Sequence, residues 1–447
     1  MDILQKEKLY KIVTFGCQMN ARDSEKLSFV LFEKGYKETD NENDADIVIF
    51  NTCTVRENAN MRLYGHIGQL KKSYMQNKNK IIGICGCMMQ EPDEVIKIKE
   101  KYPYVKLIFG THNIDEFSSL IEEVIKNKKR VVKVYDEKIR KDEVIKSKRV
   151  YNYKCGVNIM YGCNNFCTYC IVPYVRGREQ SRTLESIVNE IKEAVKDGVI
   201  EVMLLGQNVN SYNGKFSENN ERIIKFPELL NEVCKIEGLK RVRFMTSNPK
   251  DFSDELINVI KNNEKVCRHI HLPIQSGSDR ILKLMNRHYD KNKYLDIINK
   301  LRENIEDMGL TTDIIVGFPT ETEEDFNETL DVIKKANFDS VFTFEYSKRT
   351  GTKAAEMDGQ VPEKVVKDRF SRLLKVVNEC AGKNAEKYVG KEVEILVESE
   401  DKISGKLTGR MSNNYLVHFN GCNELIGKLM KVKLIVCHTF YFDGEIV

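Results

Sequence analysis

Residues 156–170 read GVNIMYGCNNFCTYC, an apolar run that ends in YGCNNFCTYC (161–170) and spaces Cys163, Cys167 and Cys170 as C-x3-C-x2-C. A 4Fe-4S cubane usually takes four cysteines. A loop that supplies three leaves one iron open to a small molecule. The loop also follows an apolar strand, and (β/α) barrels carry their active sites at the carboxyl ends of strands. Zinc competes for the same ligands, because C-x2-C is its common half-site. It would want a fourth Cys or His nearby, yet none appears downstream before Cys234, and upstream Cys155 sits before the strand, at its opposite end. Spacing and context favour the cluster.

Outward from that loop the chain falls into three blocks. GVNIMYGC is the first of six apolar runs, followed by EVMLLGQN, RVRFMTS, HIHLPIQSGS, TTDIIVGFP and SVFTFEYSKR, which begin about 28 to 45 residues apart with amphipathic stretches such as LESIVNEIKEAVKDG between them. Six such units predict a partial (β/α) barrel, short of the eight of a closed one. Towards the N-terminus YKIVTFGC, DIVIFNTC, KIIGICGC, VKLIFGT and RVVKVY alternate with helical patterns and predict a doubly wound parallel sheet. Towards the C-terminus a helical pattern from Pro362 to about Lys387 leads into KEVEILVESE, SGKLTGRM, YLVHFN and KVKLIVCH. These short segments predict a small antiparallel β-barrel. The expected boundaries are 8–135 and 151–375 for the two α/β domains, joined by a basic linker at 136–150, and 380–447 for the small barrel.

The N-terminal sheet carries a second set of thiols. Cys17, Cys53 and Cys87 each close an apolar strand, in TFGC, FNTC and CGC, in three successive βα units. Parallel strands bring their carboxyl ends to one edge, where open α/β sheets bind ligands. The three thiols are therefore expected to converge, again one short of a full set. Cys85, two residues before Cys87, shares its face but sits deeper, and packing explains it. Cys155, Cys234, Cys267, Cys380, Cys422 and Cys437 have no partner at metal spacing and read as core thiols.

Composition agrees with metal chemistry inside the cell. Thirteen cysteines in 447 residues, with no export signal at the start, do not read as a disulfide framework. No apolar run approaches the ~20 residues that span a bilayer, so a cytoplasmic protein without a membrane segment is expected. The net charge is only +4, but residues 126–149 hold eleven Lys or Arg against four Asp or Glu, so the rest of the chain is acidic. Such a stripe can neutralise phosphates; it can equally be a solvated linker.

Weaker signals sit after other barrel strands. Gly206, Gln207 and Asn208 follow the second, and Gln275 and Ser276 follow the fourth. Glycine admits close approach, and amides and hydroxyls can grip an amino acid or ribose, although tight turns use the same residues. Arg176, Arg178 and Arg182 suit a carboxylate or phosphate, or form a surface ion-pair cluster. His269 and His271 share one strand face, either lining the cavity or hydrogen-bonded within it. In the last domain Lys428, Lys431 and Lys433 cluster, while Tyr415 and Phe419 read as core before they read as stacking groups.

The motifs TFGCQMN, NTCTVREN, GCMMQ, YGCNNFCTYCIVPYVRGRE, LLGQNVNSY, RFMTSNPKDF, HLPIQSGSDRILKLMNR and TTDIIVGFP together closely resemble the MiaB family of tRNA methylthiotransferases, from about Tyr10 to the C-terminus. The resemblance implies an N-terminal methylthiotransferase domain, a radical S-adenosylmethionine (SAM) barrel and a C-terminal TRAM domain. It places Cys163, Cys167 and Cys170 on the ligands of a 4Fe-4S cluster that chelates SAM, and Cys17, Cys53 and Cys87 on those of an auxiliary 4Fe-4S cluster. It further implies methylation of a sulfur held at the auxiliary cluster, reductive cleavage of a second SAM, and transfer of the methylthio group to C2 of N6-(dimethylallyl)adenosine (isopentenyladenosine), at tRNA position 37 beside the anticodon. Flavodoxin or ferredoxin is the kind of electron donor implied, and a monomer is expected.

Two relatives look similar in all three domains: enzymes acting on threonylcarbamoyladenosine in tRNA, and enzymes modifying an aspartate of a ribosomal protein. Gln18, Met19 and Asn20, Arg56, Glu57 and Asn58, and Tyr161 match the MiaB pattern better than either. Thr320 stands where VGFPGET has glycine and Lys353 where RTGTPAA has proline, both away from the six thiols. A zinc-dependent RNA-binding protein and a two-cluster electron carrier are the competing classes.

Overall fold

The computed structural model describes residues 7–54, 57–135 and 147–447. It divides into two compact units, the first formed by the described part of Met1–Tyr151 with Gly156–Asn164 and Ile171–Glu190, the second by Asn152–Cys155, Asn165–Cys170 and Ile191–Val447. Most of the basic linker, residues 136–146, lies outside the described residues, as does Arg56.

In the first unit β1 (Leu9–Thr14), β2 (Lys37–Glu38), β3 (Ile47–Thr52), β4 (Ile81–Gly86), β5 (Val105–Phe109) and β6 (Val131–Lys133) form one parallel sheet in the order β2-β1-β3-β4-β5-β6. Helices α1 (Gln18–Glu33), α2 (Glu57–Gln76), α3 (Pro92–Lys101) and α4 (Phe117–Asn127) alternate with the strands. Every residue of β3 and β4 is buried, as expected of central parallel strands covered on both faces. Successive side chains point to opposite faces. Ile47 and Ile49 pack with Leu27, Leu31, Phe117 and Leu120 of α1 and α4, whereas Val48 and Phe50 pack with Leu63, Ile67 and Ile98 of α2 and α3. The sheet is doubly wound, and its strand order reverses beside β1, which makes the carboxyl ends of β1 and β3 the switch point where such sheets bind ligands.

The chain continues through β7 (Lys154–Asn158), the short antiparallel pair β8 (Met160–Tyr161) and β9 (Gln180–Ser181), with α5 (Val172–Arg176) between them, and α6 (Leu184–Lys196). Cys155 is thus the second residue of β7 rather than a residue before it.

In the second unit the strands are β10 (Glu201–Leu205), β11 (Asn213–Ser217), β12 (Asn220–Lys225), β13 (Arg241–Phe244), β14 (His269–His271), β15 (Gly309–Val316) and β16 (Ser340–Glu345). The helices are α7 (Phe226–Cys234), α8 (Asp254–Asn262), α9 (Asp279–Leu284), α10 (Lys291–Asn304), α11 (Glu323–Ala336) and α12 (Glu363–Glu386). Two three-stranded sheets, β13-β10-β7 and β14-β15-β16, are joined by a parallel bridge between Val242 and Val266, which gives the six-stranded open barrel. The hairpin β11-β12 is an element the sequence pattern did not announce, because most of its residues are exposed on both faces and no alternation marks it.

After α12 the chain closes a five-stranded barrel of β17 (Glu392–Glu400), β18 (Leu407–Met411), β19 (Leu416–Phe419), β20 (Leu429–Cys437) and β21 (Tyr441–Ile446). Four of its pairings are antiparallel, and β19 with β21 is parallel. Tyr415 and Phe419 lie in its core, so neither offers a face for stacking a base. Cys422 is exposed and Cys380 partly so, which corrects their reading as core thiols; Cys437 is half-buried and packs against the core of the small barrel, and Cys234 and Cys267 are buried. Among the described residues no helix is long and apolar enough to cross a membrane.

Candidate functional site

The first unit brings three thiols together at its switch point. Cys17 is the N-cap of α1, Cys53 follows β3 directly, and Cys87 follows β4. Two glycines let the chain turn there. Gly16 has φ +123°, and a Cβ on it would stand 2.6 Å from the Cys53 Cβ. Gly86 has φ +97°, and a Cβ on it would strike the Thr52 carbonyl oxygen and stand 2.6 Å from Asn51 Oδ1. In each case the residue before the cysteine has to be glycine for the strand ends to close up. Cys53 and Cys87 are buried and Cys17 is exposed. Burial pushes the Cys87 thiol up to about 11; the nearby Cys53 and Cys17 add to the rise, and the Arg176 cation opposes it.

Arg176, the last residue of α5, is the fourth member of this group. Its Nε donates to Cys87 Sγ at 3.2 Å and its Nη2 to Asn20 Oδ1 at 2.9 Å, with Asp23 Oδ2 at 3.5 Å. Burial alone would lower the arginine's pKa, but Cys87, Asp23 and Cys17 more than offset it and raise it. Asn20 is itself locked: its Nδ2 donates to Asn51 Oδ1 at 3.2 Å and to the Thr52 carbonyl at 2.8 Å, so its Oδ1 is left to the guanidinium and to the Cys17 thiol at 3.4 Å. Among the described residues no group of three or more His, Cys, Asp or Glu is set to hold one metal ion. A cubane, which offers a separate iron to each thiolate, makes a different demand on spacing.

Of the second set, Cys163 belongs to the first unit and Cys167 and Cys170 to the second. In the first unit the Cys163 N–H donates to the Gly177 carbonyl at 3.1 Å. In the second unit the loop 165–170 is clamped by the end of α9. Asn286 Nδ2 donates to the Asn165 and Phe166 carbonyls, both at 3.1 Å, and Thr168 Oγ1 donates to the Leu284 carbonyl at 3.0 Å. The Cys170 N–H donates to the Cys167 carbonyl at 2.9 Å. Arg287 Nη1 donates to Cys167 Sγ at 3.3 Å, while its Nη2 donates to the Pro273 carbonyl at 2.8 Å and its Nε to the Tyr289 hydroxyl oxygen at 2.7 Å. Burial pushes Tyr289 up to about 12 against the pull of Arg287.

The remaining expected positions are spread along the second unit. Gly206 and Asn208 are buried beyond β10 and Gln207 partly so. The Asn208 amide is engaged by protein, its Nδ2 donating to Asp251 Oδ2 at 2.7 Å and its Oδ1 accepting from the Asn248 N–H at 3.1 Å. Gln275 sits at φ +73° beyond β14, pairs with Ile314, and is buried with Ser276, whose Oγ accepts from the Ser278 N–H at 3.2 Å. His269 and His271 meet the same hydroxyl, Thr311 Oγ1, each at 3.0 Å, so they are a hydrogen-bonded pair. Arg182 is buried on Glu190 and Arg178 is exposed, so the three arginines of VRGREQSR do not form one surface cluster.

Two contacts on thiols escaped the sequence reading: Arg287 on Cys167 and Arg176 on Cys87. The available signal was an arginine closing a short apolar stretch, VPYVR in one case and ILKLMNR in the other.

Family models match three stretches: the uncharacterized protein family UPF0004 at residues 9–110, the radical SAM superfamily at 157–333 and the TRAM domain at 386–447. The sequence is 52% identical over 447 residues to a protein of Lachnoclostridium phytofermentans named tRNA-2-methylthio-N(6)-dimethylallyladenosine synthase, covering 100% of this chain and 97% of the relative. A protein of the same name from Acetivibrio thermocellus is 51% identical over 443 residues, 99% of this chain and 92% of the relative. Among solved structures, the radical S-adenosylmethionine methyltransferase TsrM of Kitasatospora setae, with cobalamin and a 4Fe-4S cluster bound, superimposes with a TM-score of 0.55 at 13% identity over 78% of this chain and 77% of that one. At that identity the likeness speaks for the fold alone.

Proposed function

This chain belongs to the family of tRNA-2-methylthio-N(6)-dimethylallyladenosine synthases, and from that premise we propose how its residues serve the reaction. The enzyme is a tRNA methylthiotransferase that replaces the C2 hydrogen of N6-(dimethylallyl)adenosine at position 37 with a methylthio group. Radical SAM membership implies a 4Fe-4S cluster and SAM. In our reading Cys163, Cys167 and Cys170 hold that cluster, and Cys17, Cys53 and Cys87 hold a second. The observation that carries it is geometric: Cys53 Sγ lies 3.1 Å from where a Gly16 Cβ would stand beside Cys17, and the Arg176 guanidinium meets Cys87 Sγ and shares Asn20 Oδ1 with the Cys17 thiol, in a chain with a separate set of three cysteines.

The donors fit such a group. Cysteine binds iron as thiolate, and the buried Arg176 and the half-buried Arg287 each place a cation against one thiol, which favours the deprotonated ligand. When bound, the clusters and SAM supply the radical that removes the C2 hydrogen and the methylated sulfur that replaces it. The protein's part is to position and to keep water out. Asn286 and Thr168 fix the loop that carries Cys167 and Cys170, and Asn20 and Asn51 fix the strand ends that carry Cys17 and Cys53. Gly206, Gln207, Asn208, Gln275 and Ser276 are proposed to contact SAM, with Asn208 acting through backbone placed by its structural amide bonds. Reduction near the bottom of the ~ −700 to +450 mV range of protein clusters calls for a donor such as flavodoxin or ferredoxin. We place the enzyme in the cytoplasm as a monomer, with the domain boundaries stated above.

Anaerobic reconstitution should load about eight irons per chain, four to a cubane, and Cys53→Ala should leave about four. Cys163→Ala should abolish both SAM cleavage and methylthiolation. In cells lacking the protein, nucleoside mass spectrometry should find no 2-methylthio-isopentenyladenosine while its threonylcarbamoyl counterpart is unchanged. Protein purified without oxygen that carries zinc and no sulfide would defeat this reading.

A further inference from the structure

The arginines buried in the first unit differ in how completely they are satisfied. Arg22 places Nη1 on Glu25 and Nη2 on Glu190, and Arg182 places Nη1 on Glu190 and the Asn158 carbonyl and Nη2 on Ser186. Arg176 is as deeply buried, yet its Nη1 has no hydrogen-bond partner among the described residues. The Asp23 carboxylate does not close the gap: it meets Nη2, at 3.5 Å, and its own Oδ1 has no hydrogen-bond partner among the described residues. A charged donor kept from water with nothing to donate to is costly, so the fold has reason to supply an acceptor there. The neighbours at hand are the Cys87 thiol, on Nε, and the Cys17 thiol, which shares the Asn20 Oδ1 acceptor with Nη2. A donor set of this kind suits an anion that arrives with the thiolates.

We propose that Arg176 is a positioning residue for the auxiliary cluster, its Nε holding the Cys87 thiolate and its Nη1 donating to an inorganic sulfur of the cluster. The inference rests on the reading of Cys17, Cys53 and Cys87 as cluster ligands. Asn20 sets the angle, because its amide is locked to Asn51 and Thr52 and offers Oδ1 to Nη2. The consequence is electrostatic. Hydrogen bonds to cluster sulfurs and nearby positive charge favour the reduced, more negative state, so Arg176 raises the reduction potential of this cluster.

The test uses the full chain with Cys163, Cys167 and Cys170 all changed to Ala, so that only the auxiliary site can load. Iron and sulfide are counted after anaerobic reconstitution, and the midpoint potential is read by a titration followed by electron paramagnetic resonance. Arg176→Met is expected to keep about four irons while reduction becomes at least tenfold less favourable, which is 59 mV for one electron. Arg176→Lys, which keeps the charge and loses the fork, is expected to fall between. An unchanged potential in Arg176→Met with iron bound overturns the proposal. If Arg176→Met cannot hold iron, Arg176→Lys decides: a lowered potential supports the proposal, and an unchanged potential, or loss of iron together with loss of fold by circular dichroism, overturns it. Loss of iron from both variants with the fold intact supports it. A parent chain that binds no iron at all overturns the ligand reading itself, a result distinct from failure of the arginine variants in a parent that loads.

Discussion

Thr320 shows what a single residue can reveal. In sequence it stands where the family motif has glycine, and in the structure it adopts φ +67°, a region that disfavours a β-branched side chain. Its N–H donates to the Gly359 carbonyl at 2.7 Å, and Arg280 donates to its carbonyl at 2.6 Å and to its Oγ1 at 3.3 Å, so the turn is held from both sides. The surroundings impose the conformation and the threonine bears the strain. Thr320→Gly relieves that strain at the expense of one long hydrogen bond and a looser unfolded chain. It is expected to stabilise the protein by about 1 kcal/mol, seen as a higher melting temperature; a variant that melts lower would show that the Arg280 contact outweighs the backbone. At this scale the six cysteines were legible because spacing and strand ends are written in the sequence. Arg176 and Arg287 were not, because which thiol an arginine meets depends on chain segments 89 and 120 residues away.

At the scale of elements, the parallel strands were legible from continuous apolar runs, and α12 from its start after Pro362 to its end before Lys387. What joins elements was not. Glu190 of α6 receives Arg22 of α1 and Arg182 beside β9, both at 2.6 Å, and all three are largely buried. Charged residues in an amphipathic helix read as a solvated face, and only the packing of α1 against this segment shuts out the water. Burial would raise the Glu190 pKa, but the two arginines overcome it and hold it below the usual carboxylate value. A depressed folded pKa means that the stabilisation is fully present above the unfolded value of ~4.3 and is lost as pH falls through the folded value. Glu190→Gln leaves two arginines short of a counter-charge and is expected to cost about 3 kcal/mol at pH 7. The gap between variant and wild type should narrow in urea melts below pH 4. An equal gap at pH 7 and pH 3 would exclude Glu190 as the source.

For the whole chain, the sequence divides into three blocks, and the last carries nine Lys or Arg against nine Asp or Glu in residues 381–447, so it is no basic patch overall. Lys431 and Lys433 stand opposite Glu394 and Glu392 across β17 and β20, which blunts their pull on phosphate. The packing assigns the barrel a second task. Arg241 and Arg243 of β13 are buried, share Glu201 at 3.2 and 3.1 Å, and reach out of the α/β strands to carbonyls of the small barrel. Arg241 donates to the Arg410 carbonyl at 3.0 Å, and Arg243 to those of Met411 and Ser412 at 2.7 and 3.1 Å. RVRF reads in sequence as a strand with two polar interruptions; in the folded chain those interruptions are rivets. A chain ending at Lys387 would leave two arginines paired with one carboxylate and stripped of three acceptors. It is expected to lose SAM cleavage as well as tRNA binding, because the strands that carry the arginines are weakened with the barrel gone. Arg243→Leu in the full chain isolates the effect, since it keeps the barrel and strands Glu201 with Arg241 alone, at a cost of about 3 kcal/mol. If the truncated protein melts with the intact one and still cleaves SAM, the rivets carry no stability and the barrel is only a handle for RNA.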